Sequence, residues 1–148
     1  MRAVIQRVLS ASVSVDGEVV GAITDPGLLV YLGITHTDGP RDVEWMARKV
    51  RDVPILRDEQ SAGDVGAPVL VVSQFTLYGD ARKGRRPTWI AAAPREISEP
   101  TYAAVCAELE RLGTPVARGV FGADMQVSSV NDGPITVILD SPGPASDA

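Results

Sequence analysis

Two continuous apolar runs constrain the fold of this chain more than any other feature of its sequence. Residues 28–34 read LLVYLGI and residues 69–77 read VLVVSQFTL. Neither run shows the alternation of apolar and polar residues that is typical of a strand with one solvent-exposed face. Runs of this length are typical of strands covered on both faces, and they fall short of the roughly 18 apolar residues of a membrane span. The chain is therefore predicted to fold around a sheet whose central strands are buried on both sides.

Turn residues and hydrophobic periodicity predict the elements around these strands. Residues 2–23 alternate apolar and polar side chains on either side of Asp16-Gly17, which predicts a β-hairpin with a two-residue turn. Apolar residues recur every three or four positions from 40 to 53 and from the expected N-cap Ser98 to 112, which predicts two amphipathic helices. Further strands are expected at 116–118, 125–130 and 135–139.

About seven strands and two helices predict an α+β fold, with helices on one face of a mixed, largely antiparallel sheet or partial barrel. A chain of 148 residues has the length of one domain, so we expect a single domain at 1–141 and a flexible C-terminal tail at 142–148. Two helices cannot cover the second sheet face. We therefore expect homodimerisation to complete the fold by burying that face or the edge of the sheet.

Composition and charge argue against several classes of function. A net charge of −5 disfavours nonspecific binding to DNA or RNA, because affinity for a polyanion depends largely on cations. The single cysteine, Cys106, and the single histidine, His36, show no metal-ligand spacing, so we expect no metal, no cofactor and no Ser-His-Asp triad. The N-terminus does not read as a signal peptide, which predicts a cytoplasmic protein with no membrane partner.

A polar pair, Ser73-Gln74, interrupts the second apolar run near its C-terminal end and is the first candidate for a site. Hydrogen-bonding side chains at the end of a buried strand meet solvent or a ligand at the rim of the sheet. The alternative is that the two side chains only satisfy neighbouring backbone groups. The pattern leaves both open.

A basic segment follows at 82–86, flanked by Tyr78 and Trp89. Its four cations are Arg82, Lys83, Arg85 and Arg86. Cations with neighbouring aromatic rings offer phosphate contacts and planes for base stacking, so an RNA-facing loop is one interpretation. A solvated charged loop is the other.

A Gly133-Pro134 pair stands between two strand-like segments, although neither residue favours a strand. A turn or loop is the ordinary explanation. A cis bond is the alternative, and it would aim two successive carbonyl groups the same way and make the backbone a shaped surface.

Five short segments stand in order along the chain: MRAVIQRV at 1–8, SQFTLY at 73–78, RKGRRP at 82–87, FGADM at 121–125 and NDGPIT at 131–136. With these segments the chain resembles the D-aminoacyl-tRNA deacylase family. The resemblance implies a cytoplasmic homodimeric enzyme that hydrolyses the ester joining a D-amino acid, or mischarged glycine, to the 3' adenosine of tRNA. It would be a proofreading hydrolase that needs no cofactor and acts on the aminoacyl-tRNA 3' end.

The resemblance also implies roles for particular residues. The catalytic pocket is expected to contain Ser73, Gln74, Phe75 and Thr76. A chiral filter is implied to enter this pocket from the second subunit, with Gly133 and Pro134 joined by a cis bond and braced by Arg7. Substrate-binding residues are expected to be Met125, Asn131, Thr136, Arg82, Lys83, Arg85 and Arg86. For Met125, ordinary core packing stays an alternative.

A filter of this kind reads chirality by exclusion. Carbonyl groups of Gly133 and Pro134 would fill the space that an L side chain needs, whereas a D side chain points away and glycine has none. Either Thr76 or a water could attack the ester, and the lack of an evident base favours water, with help from the ribose 2'-hydroxyl. The amides of Phe75 and Thr76 are expected to stabilise the oxyanion.

One segment departs from the family pattern. Residues 55–69 read ILRDEQSAGDVGAPV, which is shorter than the family's segment and lacks its Gly-Lys-Met-Asn-like stretch. Pocket contacts assigned to that segment therefore do not carry over. Within it, residues 57–66 are predicted to be a loop.

Two other functions compete with the enzyme. One is a noncatalytic RNA-binding module that uses the basic segment at 82–86. The other is a small structural dimer without a ligand. Ester release from aminoacyl-tRNA separates the three.

Overall fold

The computed structural model describes residues 1–144, which form six strands, three α-helices and two short 3₁₀ helices. The strands are β1 (Arg2–Val15), β2 (Glu18–Ile23), β3 (Gly27–Gly33), β4 (Val69–Ser73), β5 (Val116–Arg118) and β6 (Gln126–Asp140). The α-helices are α1 (Pro40–Asp52), α2 (Ala62–Val65) and α3 (Arg95–Arg111), and the 3₁₀ helices are Arg57–Glu59 and Phe75–Tyr78. The predicted α+β class is confirmed.

The long strand β1 organises the sheet because both of its edges are paired. One edge pairs antiparallel with β3 and then with β2, and the other edge pairs antiparallel with β6. Asp16 and Gly17 form the predicted hairpin turn with φ values of 50° and 81°, as a tight hairpin turn requires. Beyond β3, β4 and β5 continue the sheet as parallel neighbours.

The sheet curls until β2 lies against β5, which makes it barrel-like. A Cβ atom on Gly21 of β2 would overlap the main-chain carbonyl of Arg118 in β5, so the two strands approach closely. Inside the curl, Val8, Leu29 and Leu70 are fully buried. We expected a second subunit to bury this face or its edge. The curved sheet already covers the face within one chain, and dimerisation stays a prediction.

Helices α1 and α3 cover the outer face of the sheet with the apolar sides that periodicity predicted. Met46 of α1 and Leu109 of α3 are fully buried there. The Tyr102 hydroxyl donates a hydrogen bond to the Val71 carbonyl of β4 at 2.8 Å, which ties α3 to the sheet. Burial raises the pKa of the Cys106 thiol to about 11, so this side chain is a packing group.

Helix α3 begins three residues before the predicted N-cap. Its first residue is Arg95, Pro94 holds the N-cap position with φ −68°, and Ser98 lies buried in the first turn. The Ser98 hydroxyl donates to the Pro94 carbonyl at 3.1 Å. A serine hydroxyl can make this bond inside a helix as readily as it caps one, which is why the sequence misplaced the start.

Strand β4 ends at Ser73, four residues before its predicted end. The Gln74 amide still donates to the Leu32 carbonyl of β3 at 2.8 Å, and the chain then turns into the 3₁₀ helix Phe75–Tyr78. This helix packs closely over Gly33 of β3. An apolar run does not reveal such a change, because periodicity cannot distinguish a buried strand from a short buried turn.

The segment 57–66, predicted as a loop, contains a 3₁₀ turn and helix α2. The Ser61 hydroxyl accepts from the Asp64 amide at 3.0 Å, and the Asp64 carboxylate accepts from the Ser61 amide at 2.8 Å. Gly66 ends the helix in the left-handed conformation with φ 65°. Loops and helix ends use the same residue types, so composition concealed this helix.

Strand β6 is continuous where the sequence predicted two strands. Its ladder with β1 pairs Val8 with Asn131 and Gln6 with Thr136, so four residues of β6 lie opposite Arg7 alone. Such a bulge accommodates glycine and proline while the ladder continues on either side. The Gly133–Pro134 peptide within the bulge is cis.

The predicted tail at 142–148 lies outside the described residues beyond position 144, and the domain boundary at 141 stays a prediction. The Ser141 amide donates to the Met1 carbonyl at 2.9 Å, which ties the end of β6 to the start of β1. Among residues 1–144, no helix has the length and apolar character needed to cross a membrane.

Candidate functional site

A cavity of about 280 Å³ lies at the carboxyl ends of the parallel strands β3 and β4. Strand ends of this kind commonly hold ligands in α/β sheets. Its walls are mainly apolar and come from β3, β4, α3 and the segment before β6. The lining residues are Leu32, Ile34, Val72, Ser73, Gln74, Phe75, Ser98, Phe121, Gly122, Ala123, Met125 and Val127.

The polar rim of the cavity is the turn after β4. The Gln74 side-chain amide donates to the Thr76 hydroxyl, which therefore already has a partner within the chain. Phe75 and Thr76 begin the 3₁₀ helix, and the first amides of a helix have no acceptor within it. Those two amides are thus available to an oxygen of a ligand at the rim.

Phe75 and Trp89 connect this rim to the basic loop. Their ring centroids are 5.3 Å apart at an interplanar angle of 71°, an edge-to-face contact. Trp89 also packs tightly over Gly79, since a Cβ atom there would lie 2.5 Å from the indole ring. Phe75 remains 56% exposed and Trp89 43% exposed, so both rings present surface to a ligand.

The loop between Asp80 and Thr88 is closed by backbone hydrogen bonds of 2.9 and 2.8 Å between these two residues. Its cations differ in their local partners. Arg82 donates to both carboxylate oxygens of Asp80, and this bond lowers the pKa of Asp80 to about 2. Within the described chain, no ion pair involves the remaining three cations, Lys83, Arg85 and Arg86.

Tyr78 does not offer the open stacking plane that the sequence suggested. The Arg2 guanidinium lies over its ring at 5.4 Å, and burial raises the pKa of its hydroxyl to about 12. Arg2 is held there by a hydrogen bond to the Leu77 carbonyl at 3.1 Å. Trp89 is therefore the exposed aromatic plane beside the basic loop.

The β6 bulge forms a second cluster of predicted site residues. Arg7 Nε donates to the Asp132 carbonyl at 3.0 Å and its Nη1 donates to the Ile55 carbonyl at 3.2 Å. The Asn131 side-chain amide donates to the carbonyls of Arg7 and Ile135 at 2.9 and 3.2 Å, which closes the bulge. Gly133 adopts φ 123° under the Arg7 guanidinium.

Asp132 is the anionic centre of this cluster. Its carboxylate accepts from Arg57 at 2.6 and 3.2 Å, and it lies 3.3 Å from Arg7 Nε. The hydrogen bond from Arg57 and the charge of Arg57, with a smaller effect from the charge of Arg7, keep the pKa of Asp132 below its ordinary value. A depressed carboxylate pKa stabilises the fold above the unfolded-state pKa and loses that contribution as the pH falls through the folded-state value.

The two groups of predicted residues do not meet within one chain. Ser73, Gln74, Phe75 and Met125 line the cavity, and Thr76 stands exposed beside it. The filter residues of the bulge are absent from that lining, because β3 and β1 lie between β4 and β6. Thr136 and Asn131, predicted to bind substrate, are hydrogen-bonded inside the chain, the former to Gln6 at 3.2 Å.

Several lining residues were not predicted from the sequence. Phe121, Gly122 and Ala123 stand in the FGADM motif that carried the family resemblance, so a signal for them was present. Ser98 had no such signal, because its position in the wall follows from the early start of α3. In the part of the chain that is described, no cluster of three or more His, Cys, Asp or Glu side chains is placed to hold a metal.

The fold and the site define a class of small α+β proteins with a curled mixed sheet, one rim cavity at its parallel strand ends and a cationic loop beside it. The chain belongs to the D-Tyr-tRNA(Tyr) deacylase family, whose model matches residues 4–140.

Curated relatives support this membership over nearly the whole chain. The D-aminoacyl-tRNA deacylase of Kineococcus radiotolerans is 62% identical over 141 residues, which is 95% of this chain and 100% of the relative. That of Thermobifida fusca is 62% identical over 140 residues, which is 95% of this chain and 99% of the relative.

Two solved structures share the fold. The protein described as c-Myc DNA Unwinding Element Binding Protein has a TM-score of 0.90 at 40% identity and covers 97% of this chain and 100% of its own. A probable eukaryotic D-amino acid tRNA deacylase has a TM-score of 0.79 at 16% identity, with 93% and 97% covered, and supports the fold alone.

Proposed function

We propose that this protein hydrolyses the ester of D-aminoacyl-tRNA and of mischarged glycyl-tRNA, and that it rejects L-aminoacyl-tRNA. The observation that carries the proposal is the continuity between the cavity at Ser73–Phe75 and the cationic loop, made by the Phe75–Trp89 contact. A substrate with an aminoacyl group and a polyanionic tail fits this arrangement. The two relatives of this chain reported above are named D-aminoacyl-tRNA deacylase.

The complete site needs a second copy of the chain. Gly133 and Pro134 are exposed and lie outside the cavity of their own chain. In the described residues the outer edge of β6 pairs with no strand, and two apolar side chains of this strand, Val130 and Ile138, are 51% and 64% exposed. Unpaired edges with exposed apolar residues favour association, and a symmetric dimer is its commonest form.

In this dimer, the partner's Gly133 and Pro134 carbonyl oxygens face the cavity rim and discriminate by exclusion. An L side chain would collide with main-chain oxygens, whereas the side chain of a D-residue points away and glycine has none. Met125 lines the wall of this cavity. Because backbone atoms make the filter, many different D side chains are accepted, and glycine is accepted as well.

Hydrolysis proceeds by attack of water on the ester carbonyl carbon. The oxyanion that forms accepts hydrogen bonds from the amides of Phe75 and Thr76, a contribution of about 2.7–4 kcal/mol per donor in a well-characterised protease. The bond to the ribose 3' oxygen then breaks, and that oxygen takes up the proton that the attacking water gives up and leaves as the tRNA hydroxyl. The 2'-hydroxyl beside it assists. Since tRNA is charged in the cytoplasm, we place the activity there.

Three aminoacyl-tRNAs distinguish this function from its competitors. Purified protein is incubated with D-Tyr-tRNA, L-Tyr-tRNA and Gly-tRNA, and release of the amino acid is followed. Release from the D and glycyl substrates alone supports the deacylase. Binding without release would instead indicate an RNA-binding module, and neither binding nor release would indicate a structural dimer.

Thr76→Ala is expected to retain activity, with kcat/KM reduced by no more than about tenfold. The Thr76 hydroxyl accepts a hydrogen bond from Gln74, and within residues 1–144 no histidine or carboxylate is bonded to it as a base. Initial rates on D-Tyr-tRNA provide the measurement. A loss approaching the roughly 10⁶-fold cost of deleting a catalytic nucleophile, in a folded dimer, would show that Thr76 attacks the ester.

The cations of the loop are expected to bind tRNA unequally. Replacing Lys83, Arg85 and Arg86 with glutamine should raise KM. It should also reduce the magnitude of the slope of log affinity against log salt concentration by about 2, as expected for the loss of three contacts to a single strand. Arg82→Gln is the matched control within the loop, because Arg82 is already neutralised by Asp80. A larger effect of Arg82→Gln than of the triple variant would contradict this assignment.

A further inference from the structure

Arg57 makes a two-point contact with the residue that precedes the filter. Its Nη2 and Nε lie 2.6 and 3.2 Å from the two carboxylate oxygens of Asp132. The Asp132 side chain is only 14% exposed, whereas that of Arg57 is 70% exposed, so the arginine closes over the carboxylate from outside. Two parallel hydrogen bonds between a guanidinium and a carboxylate fix orientation as well as distance.

The segment that carries Arg57 is anchored to the body of the protein. Leu56 is buried beside it, and its amide donates to the Gln60 carbonyl at 2.9 Å. Asp58 and Glu59, directly after Arg57, adopt positive φ values of 61° and 53°, which side-chain-bearing residues rarely do. Such conformations persist only where the surrounding structure enforces them, so Arg57 projects from a fixed turn.

Asp132 joins this turn to the strand that bears the filter. On its inner side Arg7 contacts both the Asp132 carbonyl and its carboxylate, and on its outer side Arg57 contacts the carboxylate. Gly133 follows Asp132 directly in the chain. The bulge is thus held between an inner and an outer arginine, and movement of Gly133 away from β1 must break one of these contacts.

We propose that Arg57 is a positioning residue of the stereochemical filter, which it holds in register through Asp132; the role rests on the filter proposed above. The departing segment at 55–69 then contributes to selectivity as an external brace for the filter. The two arginines divide the task, because Arg7 positions the backbone itself and Arg57 fixes the carboxylate.

The test compares Arg57→Ala and Arg57→Lys with Arg111→Ala. Arg111 is a matched control: it makes the same two-point contact with Glu108, at 2.6 and 2.9 Å, and is 68% exposed. Two quantities are measured, the ratio of kcat/KM for D-Tyr-tRNA to that for L-Tyr-tRNA, and hydrogen exchange of the peptide 129–138. Because a general loss of stability also speeds exchange, the change in each quantity is taken relative to Arg111→Ala.

Arg57→Ala is expected to lower the D-to-L ratio and to accelerate exchange in the bulge, each by about three- to fivefold, the range of an exposed but well-oriented pair. Arg57→Lys should recover part of both losses, since one ammonium cannot make both bonds. Raising NaCl from about 0.05 M to about 0.5 M should lower the ratio of the parent protein and leave that of Arg57→Ala unchanged, because salt screens the pair.

The possible results distinguish a failure of the proposed Arg57 role from a failure of the proposed deacylase activity. A parent protein that discriminates, with both readouts of Arg57→Ala equal to those of Arg111→Ala, would overturn the brace and leave the deacylase intact. A parent protein that releases neither D-tyrosine nor glycine would overturn the function, and the role of Arg57 with it.

Discussion

Gly133→Ala is expected to lower D-Tyr-tRNA hydrolysis at least about tenfold and to bring the D and L rates together, since about 1.4 kcal/mol suffices for a factor of ten. Gly133 has φ 123°, where a side-chain-bearing residue is strained by about 1–3 kcal/mol. The added methyl group would also lie 2.5 Å from Arg7 Nη2 and 3.1 Å from Ile135 Cγ1. Arg7 can yield only by losing its hydrogen bonds, so the filter carbonyls must move. Initial rates on the D and L substrates measure the change.

Gly113→Ala is the matched control for this substitution. Gly113 also has a positive φ, 91°, but a Cβ atom there would meet no atom within 4 Å. It follows α3, away from the bulge. The control should therefore share the cost of backbone strain and keep the parent D-to-L ratio. If Gly133→Ala also kept that ratio, chirality would have to be read elsewhere.

Arg7→Met is expected to lower the free energy of unfolding by about 2–4 kcal/mol and to lower the D-to-L ratio at least about tenfold, because hydrogen bonds to charged groups contribute about 1.5–3 kcal/mol each. The Arg7 side chain is only 11% exposed, and its loss leaves the carbonyls of Asp132 and Ile55 without this donor. Methionine keeps similar bulk, so the loss of the donors is isolated. Urea unfolding at one fixed protein concentration measures the change in stability.

Two control variants show whether the effects of Arg7→Met come from the hydrogen bonds of Arg7. Arg111→Met removes an exposed arginine–carboxylate pair, which is expected to cost little stability and to leave the ratio unchanged. Arg7→Lys keeps the charge but cannot reproduce the forked geometry, so an intermediate ratio is expected. A destabilised Arg7→Met protein with an unaltered ratio would make Arg7 a purely structural residue.

Local signals in the sequence predicted most of the elements. Asp16-Gly17 marks its hairpin turn because few residue pairs tolerate those backbone angles. The apolar stripe of α1 gave its bounds to within one residue, since a helix buries one face at a fixed period. Errors arose where one residue type serves two purposes, as with Ser98, which could cap a helix but lies inside one.

The candidate site was predictable in part. Ser73 and Gln74 stood out because polar residues end an apolar run, and the structure places both in the cavity wall. Arg57 gave no signal, because its partner Asp132 is 75 residues away in the chain. The sequence predicted an open ring plane for Tyr78, but Arg2 covers it. This contact, too, joins residues that are distant in the sequence.

The sequence by itself determined the two long helices, most of the strands, the turn at Asp16-Gly17, the buried run of β4 and the family. Each depends on residues close together in the chain or on motifs in a fixed order. Tertiary structure alone decided that the sheet curls to bury its own second face, that four residues bulge opposite Arg7 and that Arg57 closes over Asp132. These features depend on strand register and on contacts between distant residues, which no local pattern encodes.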